Sequence, residues 1–242
     1  MNAKSSEQVR GETMKRAVAQ VKYVFQVGSI SPDNTYDFTC TGSGLRQSPK
    51  PRDYLKFAEN DLDEASQHPS DVTRHAINAV SNAKRALHLQ VESLCDSFSG
   101  GLLKGNLRSF PAKLEFLERC GVIGQRLLRK LNSVRNAVEH DYKFATLDDA
   151  ELAVDVAELF IGHCRLYESR FPCSVGISPP VADTSGTVYV QAIDANWKTG
   201  VIRLQLTDAE NVSRTNQNSY QNISILEPEF FEWVRFLVAC ID

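Results

Sequence analysis

No stretch of this chain approaches the 18 or more consecutive apolar residues that a membrane-spanning helix needs. The first residues, MNAKSSEQVRGETMKR, lack the apolar centre of a secretory signal. The six cysteines (Cys40, Cys95, Cys120, Cys164, Cys173 and Cys240) contain no CxxC pair and no Cys/His spacing suited to zinc. Such scattered thiols read as buried or inert groups in a reducing cytoplasm, so a cytoplasmic location is expected. Gly42-Ser-Gly44 lacks the further glycines and the GK[ST] of a phosphate loop, and no nucleotide cofactor is expected. No internal repeat is visible. The formal net charge of −3 argues against a protein that coats nucleic acid indiscriminately.

What is present is an ordinary globular composition, 42% apolar and 24% charged over 242 residues, enough to bury a real core. The charge is unevenly spread. Residues 101–145 carry nine Lys/Arg against four Asp/Glu, whereas residues 146–170 carry two against six. A locally basic segment is what a phosphate-contacting site needs.

Apolar periodicity of 3.6 runs through the middle of the chain. A first helix is predicted at about 52–66, with Leu55, Ala58, Leu62 and Ala65 inward. HPSD breaks it, and a long helix follows at about 71–98 along Val72, Ala76, Val80, Ala83, Leu87, Val91, Leu94 and Phe98. On another face of that helix Arg85, His88 and Glu92 line up and read as an exposed, salt-bridged surface. A third helix begins near Pro111 and takes in 125–140. Thr146 then caps a fourth, at about 147–169, with Leu152, Val156, Leu159, Phe160 and Leu166 inward. His163, next to Cys164, has no second ligand and reads as part of the packing.

Outside these helices the pattern changes. Residues 1–50 form an N-terminal extension that fits helix or strand equally well. FPCSVGISPPVADTSG, rich in Pro, Ser and Gly, reads as a linker over 172–186. Beyond it TVYVQAI and VIRLQL alternate with period two and pair as a hairpin, a short strand follows near 222–226, and an amphipathic helix closes the chain. That last unit, 187–242, is marginal alone. It is expected to pack on the bundle or to take strands from 18–40.

The densest polar chemistry lies in Leu131–Tyr142, LNSVRNAVEHDY. Leu127, Leu131, Val134 and Val138 recur at helical spacing, which turns Asn136 and His140 away from that stripe and puts Arg135 on its shoulder. Arg135-Asn-Ala-Val-Glu-His140-Asp-Tyr142 reads R-x4-H-x-Y with a polar Asn after the Arg, and this resembles the signature of the HEPN superfamily. These are small helical domains that include many metal-independent RNases of bacterial toxin and defence systems. The resemblance covers about 51–171. It implies a mainly α fold, an antiparallel four-helix bundle, here with a smaller α+β part made of the C-terminal hairpin, strand and helix. It implies an endoribonuclease of toxin or phage-defence type with Arg135 and His140 catalytic, Asn136 and Tyr142 supporting, and neither metal nor cofactor. The partners it implies are RNA, a second copy of the chain, and an antitoxin of the nucleotidyltransferase type acting in trans on Tyr142. A catalytically silent HEPN-like scaffold is the alternative; such domains usually lose the Arg or the His, and this chain keeps both.

Overall fold

The computed structural model describes residues 22–41, 49–103, 105–124, 145–208 and 219–241. In chain order the elements are β1 (Thr35–Thr41), α1 (Pro51–Gln67), α2 (Val72–Ser97), α3 (Phe110–Arg119), α4 (Leu147–Ser169), β2 (Phe171–Ala182), β3 (Val188–Asn196), β4 (Val201–Asp208), β5 (Ser219–Ser224) and α5 (Pro228–Ala239). Short 3-10 turns lie at Val27–Ser29, Pro32–Asn34, Pro69–Asp71 and Gly100–Leu102.

The helices start where the local chemistry satisfies their first N–H groups. The Asp53 carboxylate accepts from the Lys50 N–H at 2.7 Å, with Pro51 opening α1. Ser109 Oγ accepts from the Ala112 N–H at the start of α3. Thr146 and Asp149 form a reciprocal capping box on α4. Small side chains set the packing between helices. Ala58 and Ala65 of α1, Ala76, Ala79, Ala83 and Ala86 of α2, and Ala150, Ala153 and Ala157 of α4 are all buried, so the helix axes can approach closely. On α4 the buried line runs through these alanines to Phe160, Ile161 and Cys164. Leu152 and Leu159, expected inward, are instead 46% and 71% exposed. The helix carries apolar residues on several sides, and its small ones face the bundle.

The five strands form one antiparallel meander in the order β1-β2-β3-β4-β5. This overturns the expected fold class, a four-helix bundle with only a small C-terminal hairpin unit. Among the described residues there are five α-helices and a five-stranded sheet. Two segments account for the difference. The N-terminal stretch supplies β1, and the Pro-rich stretch read as a linker supplies β2. Within β2, Phe171, Val175 and Ile177 are buried. Pro179 and Pro180 sit where pairing with β3 lapses, between Gly176 and Val181, so their missing N–H groups cost no ladder bond.

One face of the sheet packs against α5 through Phe230, Trp233, Val234 and Leu237. The bundle and the sheet share one apolar core. Phe98, at the end of α2, contacts Tyr167, Phe171 and Trp197, and Trp197 in turn meets Phe230. Trp197 Nε1 donates to the Pro172 carbonyl at 2.6 Å, and Ser99 Oγ donates to the Trp197 carbonyl. Trp197 thus ties the β3–β4 turn to β2 through its indole and to the α2 terminus through its carbonyl.

Candidate functional site

Arg135, Asn136, His140 and Tyr142 all lie within 125–144, outside the described residues. Described residues fix both flanks of that stretch. On the near side α3 ends at Arg119, Gly121 turns the chain with φ +82°, and Val122 and Ile123 are buried. The Val122 carbonyl lies 3.1 Å from His163 Nε2 on α4; His163, expected in the packing, is instead exposed on the helix surface. Arg235 of α5 donates to the Arg119 carbonyl at 2.9 Å, and the Arg119 guanidinium stands 3.6 Å from the centre of the Phe231 ring. On the far side the Thr146–Asp149 box starts α4. Its hydrogen bonds hold the Asp149 carboxyl below the usual carboxylate range.

A polar line on α2 reaches both α1 and α3. Near its start His75 is buried, with Nδ1 3.6 Å from Asp61 Oδ1 of α1. Asp61 Oδ2 accepts from Asn82 Nδ2 at 3.0 Å, and Asn82 Oδ1 accepts from Arg85 at 3.1 Å. Further along, the His88 ring stacks on Phe110 at 4.2 Å between centroids, and Glu92 forms an ion pair with Lys113 of α3. The Arg85, His88 and Glu92 trio is therefore not a purely solvated surface. Arg85 is exposed, whereas His88 and Glu92 fasten α3 to α2. Gln90, 2% exposed, has no hydrogen-bond partner for its Nε2 among the described residues. The role of His75 was missed in the sequence. The signal was available: an αα-hairpin centred on the HPSD break sets Asp61 opposite His75.

Where α2 ends, the Gly100–Leu102 turn and the chain that follows it enclose a half-open cavity of about 260 Å³. A Cβ on Gly100 would stand 2.7 Å from the Cys95 carbonyl oxygen, so only glycine lets this loop close on the helix end. The cavity wall is mixed in charge, with Glu92 and Asp96 against Arg108 and Lys113. Burial pushes the Cys95 thiol at this site up to about 12, which keeps it protonated and unreactive at neutral pH. The cavity offers polar binding but no activated nucleophile.

Among the described residues no group of three His, Cys, Asp or Glu side chains could hold a metal ion, and no helix is long and apolar enough to cross a membrane. No protein-family model, curated protein or solved structure matches the chain.

Proposed function

We propose that this chain is a metal-independent endoribonuclease of the toxin or phage-defence kind. The reading is carried by one observation, the spacing of Arg135, Asn136, His140 and Tyr142 in the basic segment 101–145. RNA needs no metal to be cleaved, because its 2′-OH is a built-in nucleophile. One histidine takes the 2′-OH proton as the 2′ oxygen bonds to phosphorus. A second protonates the leaving 5′ oxygen as the P–O5′ bond breaks, which leaves a 2′,3′-cyclic phosphate and a free 5′-OH. Histidine titrates in the range this exchange requires. Arg135 supplies a permanent cation whose fork of donors fits the charge building on the phosphorane oxygens. Asn136 orients ribose or phosphate without titrating.

One His140 cannot be acid and base at once, so the site is composed of two chains, each giving one Arg135–His140 pair. Tyr142 beside it is a position at which a nucleotidyltransferase partner would silence the site. The test is a short RNA with hydrogen in place of the 2′-OH at the cleaved nucleotide. Cleavage should stop at that position and persist elsewhere. Cleavage that continues there would refute in-line attack by the 2′-OH.

A further inference from the structure

Among the described residues no element packs over the sheet face turned away from α5, and the strand register brings two rows of side chains onto it. One row runs Tyr36, Gly176, Ala192, Gln205 and Tyr220 across β1 to β5. The next runs Thr39, Ser174, Asp194, Arg203 and Asn222. Tyr36 and Tyr220 are 49% and 46% exposed, which is unusual for large aromatics with a core within reach. The Tyr36 ring lies flat enough over Gly176 that a Cβ there would meet its Cζ at 2.5 Å. The Arg203 guanidinium stands 5.4 Å from the centre of the Tyr220 ring. Between the Tyr36 ring, which covers Gly176, and Tyr220 only Ala192 and Gln205 intervene, so the floor is low. The rings are separated by four strand spacings, roughly 19 Å from backbone to backbone, and the two rows by roughly 7 Å.

We infer that this open sheet face binds single-stranded nucleic acid by stacking bases on Tyr36 and Tyr220, with Gln205 and Asn222 meeting base edges and Arg203 a phosphate. Aliphatic side chains larger than Ala192 are absent from the two rows, so nothing there would form the packed apolar centre of an interface with another folded protein. What is present is two π faces and amides that carry a donor and an acceptor each, the pattern that reads a base edge. Asp194 lies across from Arg203 in the register, so the face is nearly neutral. Stacking rather than phosphate attraction must therefore supply the affinity. For the nuclease proposed above, such a face would hold a stretch of the substrate strand. The inference deepens that reading by giving the substrate strand a seat, but its test is independent of cleavage.

The probe is a fluorescein-labelled deoxythymidine 12-mer, which has no 2′-OH and cannot be cleaved by the proposed reaction, titrated with the full chain and followed by anisotropy. Tyr36→Ala and Tyr220→Ala should each weaken binding by about fivefold or more, the range of one lost stack. Tyr36→Phe and Tyr220→Phe, which keep the ring, should bind as wild type does. A plot of log affinity against log salt should fall with a slope of about −0.7, as for a single phosphate contact, and flatten in Arg203→Ala. Because the probe has no 2′-OH, loss of cleavage and loss of binding are read separately. No binding by wild type, Ala variants that are folded by circular dichroism and bind like wild type, or retention of a neutral oligosaccharide in place of the 12-mer would each overturn the inference.

Discussion

Asp183 shows how much one side chain can organise. It is 7% exposed in the turn between β2 and β3, and its carboxylate accepts from the N–H groups of Ser185, Thr187 and Val188 and from Ser185 Oγ. Burial alone would raise its pKa, but the hydrogen bonds outweigh burial and bring it down to about 2. A folded-state pKa below the unfolded value means the stabilisation is complete above about pH 4 and fades as pH falls toward 2. Denaturant titrations at pH 6 and pH 3 should therefore show wild type losing stability that Asp183→Asn does not lose. At pH 6 Asp183→Ala should cost about 1–2 kcal/mol, because three N–H groups of the turn lose their common acceptor. The thiols give a second prediction at this scale. Burial raises Cys95, Cys120 and Cys164, so these three should label with a thiol reagent at neutral pH only after denaturation. Labelling of the native chain at Cys95 would contradict the position given to that residue.

Among the elements, the helices were the legible part. Their boundaries follow from a 3.6 period, from Pro111 and Thr146 at the starts, and from the HPSD break; α4 spans the residues its pattern predicts. Strands β3 and β4 announced themselves by alternation. Strand β2 did not, because Pro172, Pro179, Pro180 and Gly176 dominate its composition, and composition cannot tell a linker from a strand whose prolines fall where pairing lapses. A strand drawn from 18–40 was expected and β1 supplies it, but with β2 hidden its place in the sheet was not legible, since β2 joins it to the rest. The direction of α4 was misjudged at Leu152 and Leu159 because periodicity marks apolar faces without saying which one a neighbour covers. The close seat of Tyr36 on Gly176 offers a check on the β1–β2 register. Gly176→Ala should displace the ring with a stability change within about 0.5 kcal/mol, because the clash falls on the far end of a half-exposed side chain. Tyr36 ring chemical shifts unchanged from wild type in that variant would mean that the ring does not rest there.

At the scale of the whole molecule, the sheet and the bundle share one core centred on Phe98, Trp197 and Phe230, so they should unfold together. The chemistry proposed for Arg135 and His140 reaches further, to a pair of chains. Sedimentation at tens of micromolar, a concentration at which ordinary interfaces are filled, should show a homodimer. A monomer with full nuclease activity would remove the composite site. The most direct measurement is of the RNA itself: transfer RNA incubated with wild type, Arg135→Ala and His140→Ala, with chelator present, and the new 3′ ends weighed by mass spectrometry. Wild type should yield fragments ending in 2′,3′-cyclic phosphate, and each variant should be slower by about a hundredfold or more while keeping the wild-type circular dichroism. Intact RNA with wild type, or equal cleavage by His140→Ala, would contradict the nuclease reading outright.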